Sequence, residues 1–264
     1  MATLTNALRV VEADYINYRR TWRGRIISTF LNPILFLAGM GLILGQLVDR
    51  GQGEAQLPVP FLTFVATGLI AATAMQTGFG EGAWPILAGI KWRKTFHAIV
   101  VTPLSVADLV NGILIWGAIH LAFASGVFAV LAAVFGALEP GPALLSIVPA
   151  TLGGLAFQAA ATAYSARLED DMNLTNAFRF VIMPLYLFSG TFFPISQLPD
   201  WLEPVAFATP LFHAVELTRK VALPGVGAPV VTTVPTWVNV AYLVAMITVA
   251  WVLAIRSMRE RLQK

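Results

Sequence analysis

Few residues of this 264-residue chain could take part in bond making or metal binding, and their spacing works against both. The three histidines, His97, His120 and His213, form no His-Glu-x-x-His pair of the kind that sets two zinc ligands on one helix face. Cysteine is absent, which removes disulfides, thiolate metal sites and a thiol nucleophile. There is no Gly-x-Ser-x-Gly elbow to expose a serine, and no Gly-x-x-x-x-Gly-Lys-Ser/Thr loop to cradle phosphates. The acidic run Glu169-Asp170-Asp171 has the right residue types for a general acid or a cation site. It falls between two long apolar runs and reads as a solvated turn, or as a contact for a cytosolic partner. No catalytic, cofactor-binding or metal-binding residue is therefore assigned. The formal charge of +3 is too small and too dispersed for nucleic-acid binding.

The elements that must position these residues follow from composition. Hydrophobic residues make up 57% of the chain and charged residues 12%, and the mean hydropathy is +0.74, so lipid is the expected solvent. A helix crossing the hydrocarbon needs ~20 predominantly apolar residues. Residues 26–48, 55–80, 109–138 and 140–166 satisfy that between charged neighbours. A fifth run, 174–194, carries Arg179 near one end, where a long stem can reach the headgroups, and a sixth covers 237–255. These runs do not alternate, so the expected fold is all-α with six transmembrane helices rather than a barrel. His97, His120 and His213 then map to a loop, a span and an outer segment, where one chain cannot bring them to one metal.

Six spans place both termini on one side, and the basic residues say which. All of the 17 lysines and arginines except Arg50, Arg179, Arg219 and Lys220 fall on the side of the termini, which is thus cytoplasmic. The first residues lack the apolar core and small-residue cleavage site of a signal peptide. The expected location is a bacterial inner membrane, crossed several times.

Three segments are not expected to cross. Leu4, Leu8, Val11, Tyr15, Tyr18 and Trp22 share one helical face with arginines largely off it, as in an interfacial helix in residues 1–25; packing on a partner subunit is the alternative. The second cytoplasmic loop, 81–108, holds Lys91-Trp92-Arg93-Lys94 and then the apolar Phe96, Ile99 and Val100. Pro103 should end any helix there at about Val101, and Ser105 with Asp108 matches a capping box that opens the third span. Residues 195–236 are broken by Pro199, Pro204 and Pro210, and two short helices re-entering from outside fit them best. Within the spans, Asn32-Pro33 is a candidate kink, and Gly41 with Gly45 and Gly78 with Gly82 form Gly-x-x-x-Gly pairs that permit close helix contact.

The run from Pro184 through Ser189, Gly190, Phe193 and Pro194, followed by Pro199, Pro210, His213 and Glu216 to Arg219, resembles the ABC-2 class of transporter permeases. Within that class it is similar to the branch of nodulation-factor and daunorubicin-type exporters, as is the second loop with Trp92-Arg93-Lys94-Thr95-Phe96 and Thr102-Pro103-Leu104-Ser105. The likeness spans essentially the whole chain, 1–264, as one permease domain ending in the last span and tail, 237–264. It implies a second permease, identical or a paralogue, and two copies of a separate ATP-binding subunit that carries ATP and Mg. Coupling to that subunit would then run through the loop helix, with Trp92, Phe96, His97, Ile99 and Val100 as contacts. Sparse polar groups in the spans favour an amphipathic drug, lipid or glycoconjugate as cargo over an ion. Rival readings are export of a polysaccharide or teichoic-acid-like polymer, an ATP-independent carrier, an intramembrane enzyme and a non-transport scaffold.

Overall fold

The computed structural model describes residues 2–40 and 57–263, without the side chains of residues 2–4, 25, 26, 28 and 100. Every regular element among them is helical. Helix α1 is Ala2–Phe36, and α2 is Phe61–Leu87 prolonged by a π-helical turn over Ala88–Trp92. The loop helix α3, Thr95–Val100, leads to α4, Val106–Val134. Then come α5, Pro140–Leu145, and α6, Ile147–Ser165. The next rod joins α7, Met172–Ala177, through a π turn at Phe178–Ile182 to α8, Met183–Phe188. The short α9, Glu203–Phe207, precedes α10, Pro210–Ala222, and α11, Thr236–Leu262, closes the bundle.

Among the described residues, four stretches are long and apolar enough to cross a membrane: Phe61–Trp92, Val106–Val134, Pro140–Ser165 and Thr236–Leu262. They correspond to four of the six expected spans. The first expected span lies partly outside the described residues, as do Gly41, Gly45, Gln46 and Arg50; its described part includes the apolar helix Thr29–Met40. The fifth ends at Phe188 rather than at residue 194, because Gly190 turns the chain at φ +83° and leaves the rod of α7 and α8 at the lower limit of a crossing length.

Two other boundaries differ for physical reasons. The loop expected from residue 81 begins only after Trp92, since Glu81 is carried inside α2, where its carboxylate lies 3.2 Å from His120 Nδ1 on α4. A charge with a partner does not end a helix. Nor does α1 break near residue 25: Ala7 and Val10 pack along Gly112 of α4, and Tyr15 and Tyr18 meet Trp116 edge to face. Of the predicted apolar stripe, Leu8, Tyr15 and Trp22 are exposed, whereas Val11 and Tyr18 are partly buried. At the start of α4 the expected capping box is present, with Ser105 Oγ accepting from the Asp108 amide and the Asp108 carboxylate accepting from the Ser105 amide.

The bundle is organised around α2. In its most apolar window 72% of residues are buried, against 22% for α11, so α2 is the hub and α11 a wall. The closest approach is between α2 and α6, which run in the same direction: a Cβ on Gly78 would collide with the Gly154 carbonyl, and one on Gly82 with the Gln158 carbonyl. The Gly-x-x-x-Gly pair 78/82 is thus an intramolecular seam. Ser165 Oγ donates to the Ala83 carbonyl at 2.8 Å further along it. At the end of the bundle where α2, α6 and α11 finish, Arg167 Nε donates to Ser257 Oγ at 2.8 Å, and Glu169 receives Lys91 on its carbonyl and Arg261 on its carboxylate. Glu169, from the acidic run, ties three helix ends together.

Candidate functional site

Residues of the predicted motif between Ser189 and Arg219 converge at the end of the bundle where α2 begins. Thr209 caps α10, its Oγ1 accepting from the Phe212 amide, and Pro210 fills the first turn, where a missing N–H costs nothing. Ten of the thirteen residues of α10 are buried, so its polar side chains must find partners inside the protein.

Arg219 finds several. Its Nη2 donates to the Gly190 carbonyl at 2.7 Å and to the Phe64 carbonyl at 3.4 Å, Nε points to Thr67 Oγ1 at 3.4 Å, and the guanidinium lies 3.9 Å from the centre of the Phe64 ring. Planar donors and a cation over an aromatic face are a task for arginine rather than lysine. Burial pulls its pKa down to about 9 and Glu216 pulls it back, which leaves the group charged at neutral pH. Close approach of the loop is set by two glycines. Gly190 takes a positive φ, and at Gly68 a Cβ would come 2.5 Å from the Thr191 carbonyl oxygen.

Glu216, one turn earlier, holds the next loop. Its Oε1 accepts from the Thr232 amide and hydroxyl, both at 2.8 Å, and lies 3.4 Å from Lys220 Nζ. His213 pairs with Asn239 Oδ1 on α11 at 2.7 Å and stacks on Tyr242, whose hydroxyl donates to the Ala208 carbonyl at 2.7 Å. Burial lowers the His213 pKa, against hydrogen bonding from Asn239 and the charge of Glu216. Thr209 Oγ1 lies 2.9 Å from the buried Ser189 hydroxyl. So α10 is a pin that fastens the turn after α8, the loop before α11, and α11 itself onto α2. Phe193 and Pro194 lie at or beneath the surface of the loop, whereas Pro184 and Pro199 are exposed. The partners Phe64, Thr67, Gly68, Thr232 and Asn239 carried no signal in sequence, because each is an ordinary residue until the fold brings it to α10.

The other predicted contacts sit at the opposite end. The chain leaves the π turn through Lys94 in the left-handed region, φ 52°, and enters α3. Expected to point outward, Phe96 and Ile99 are instead half-buried against the bundle. The Phe96 ring covers Gly89, and both pack on a cluster that includes Val10, Ile90 and Leu109. The reason is the missing Cβ at Gly89, which opens a seat for the ring. Trp92, His97 and Val101 face outward with Arg93 and Lys94, Val101 at 87% exposure. The side chain of Val100 lies outside the described residues.

A helical bundle with four stretches long and apolar enough to cross a membrane, a buried polar pin at one end and a short loop helix preceded by basic residues at the other, defines the class as a polytopic membrane protein. The chain belongs to the ABC-2 type transporter family, whose model matches residues 6–223. It is similar to Nodulation protein J of Rhizobium meliloti (strain 1021), 28% identical over 86% of this chain and 83% of that protein. A similar protein from Rhizobium leguminosarum bv. trifolii is 28% identical over 97% and 94%. The Inner membrane transport permease YadH of Escherichia coli (strain K12) is 21% identical over 95% of both chains.

Proposed function

We propose that this chain is the membrane permease of an ATP-driven exporter, working as a pair of permeases with two ATP-binding subunits that carry ATP and Mg. The observation that carries the reading is the loop helix. Membership of the ABC-2 family gives it a context, and its geometry gives it a use: α3 is seated on α1, α2 and α4 by Phe96 and Ile99 while Trp92, His97 and Val101 face outward. A push on the outer face would pass through that seat into the bundle, a mechanical link between an outside site and a bistable packing. Trp92 and His97 receive the ATPase; Phe96 and Ile99 transmit the displacement. The end bearing α3 and the basic residues is cytoplasmic, both termini with it, and the membrane is the bacterial inner membrane. Six crossings complete the bundle, the first continuing α1 and the fifth using the rod of α7 and α8, with α9 and α10 entering from outside. The cargo is an amphipathic drug, lipid or glycoconjugate.

The test is co-purification in mild detergent with a phosphate-loop ATPase. Trp92→Glu with His97→Glu should abolish the association, whereas Phe96→Ala should retain it and lower export per ATP hydrolysed. Export that persists without the ATPase would establish an independent carrier instead.

A further inference from the structure

An open groove of about 320 Å³ runs between α6 and α11 toward the end of the bundle where both helices finish. It exists because the residues that meet there are small: Ala163 and Ala250 make a buried floor, while Val249 and Leu253 stand exposed as an apolar rim. Arg167, just past the end of α6, closes the groove at one end. Its Nε donates at 2.8 Å to Oγ of Ser257, a residue of α11 that is only 2% exposed. That bond fixes the plane of the guanidinium, and among the described residues its two terminal nitrogens have no protein partner. No carboxylate there pairs with it either; that of Glu169, the nearest acid along the chain, faces Arg261. Arg256 is exposed one turn beyond Leu253, and Tyr164, a residue type that settles where hydrocarbon meets headgroups, borders the same space.

We propose that this groove is a binding site for one anionic phospholipid, with the phosphate on the free edge of Arg167 and an acyl chain laid over Ala163 and Ala250 against Val249 and Leu253. A planar guanidinium already held by one bond loses little freedom in offering its remaining donors to a phosphate, and makes two parallel bonds to it. Basic pockets between membrane helices hold anionic headgroups in this way, whereas a choline headgroup brings a second cation to Arg167 and Arg256. Bound there, the lipid bridges α6 and α11 and adds contacts to the helix with the least buried apolar window of the four long stretches. The orientation proposed above puts the site in the cytoplasmic leaflet; the binding itself does not depend on that orientation.

Native mass spectrometry of the detergent-purified permease tests this with phosphatidylglycerol and phosphatidylcholine of identical acyl chains. Phosphatidylglycerol should be retained about fivefold better, the ratio that ~1 kcal/mol for one basic residue gives. Arg167→Gln should bring the two lipids level, and Arg9→Gln, which removes the same charge elsewhere, should leave the preference intact. If Arg167→Gln does not fold, Ser257→Ala decides, because an arginine released from its hydrogen bond should lose much of the preference. Glycerol phosphate, a headgroup without chains, should not displace the lipid. Equal retention of both lipids, a preference that survives Arg167→Gln or Ser257→Ala unaltered, or displacement by glycerol phosphate overturns the proposal. None of these outcomes bears on whether an ATPase co-purifies, so this site and the exporter reading fail separately.

Discussion

Arg219 shows what a single side chain does for this protein. Its guanidinium joins the turn at Gly190 to the first turns of α2, across a sequence distance no local interaction can span. A buried cation of this sort is costly to desolvate, and its net worth comes from hydrogen bonds that only a planar fork can make at once. Removing it strands the Gly190 carbonyl, while Glu216 keeps Lys220 beside it. Arg219→Leu is expected to lower stability by about 1–3 kcal/mol, the cost of leaving a buried acceptor without its donor. Arg219→Lys, which keeps the charge and loses the fork, should fall between it and the wild type. Thermal unfolding of the detergent-purified protein measures both, and a lysine variant as stable as wild type would show that charge alone suffices. Glu216 and Arg219 were visible in sequence as members of a motif, but their roles were not, because neither Phe64 nor Thr232 is distinguishable from other residues of its type.

At the scale of elements, the seam of α2 on α6 is the tightest in the molecule. Gly78, Gly82 and Gly154 let the two backbones approach without intervening side chains, the small-residue packing by which helices associate when no hydrophobic force separates lipid from protein. Flexible neighbours could yield to a larger residue; a carbonyl in a helix cannot. Gly78→Val is therefore expected to destabilise by about 1–3 kcal/mol or more, and to reduce the fraction of chain recovered as a sharp gel-filtration peak. Gly80, two residues on and so on the opposite side of α2 with open space at its Cβ, is the control and should tolerate alanine. The glycine spacing announced a close contact in advance, yet spacing does not name the partner: the seam proved to be within one chain. The same contrast holds for α3. Pro103 and the Ser105–Asp108 box fixed its surroundings from local rules, whereas the inward turn of Phe96 depends on a seat at Gly89 in a different element.

The whole molecule presents apolar side chains on its periphery, as a bundle solvated by lipid must. One surface is distinctive. The rod of α7 and α8 exposes Phe180 at 75% together with Val181, Leu187 and Phe188, while Leu174, Phe178, Ile182 and Tyr186 pack on the rest of the bundle. In the proposed pair of permeases this rod belongs at the seam, so Phe180→Arg should reduce the permease in detergent from two copies to one, read as mass by light scattering. An unchanged mass would place the seam elsewhere. From the sequence alone one can determine the solvent, the four long crossings, the basic end and the family, because each depends on how many apolar residues follow one another or on which residues are near in the chain. Hydrocarbon thickness is a length, and a length can be read along a line. Only the tertiary structure decided which charges are inside. Glu81 is an end-of-helix signal until His120 stands 3.2 Å away, and Arg219 is a loop cation until three carbonyl and hydroxyl oxygens from α2 and the turn after α8 surround it. Burial of a charge is settled by its partners, and those partners are brought by packing from distant parts of the chain.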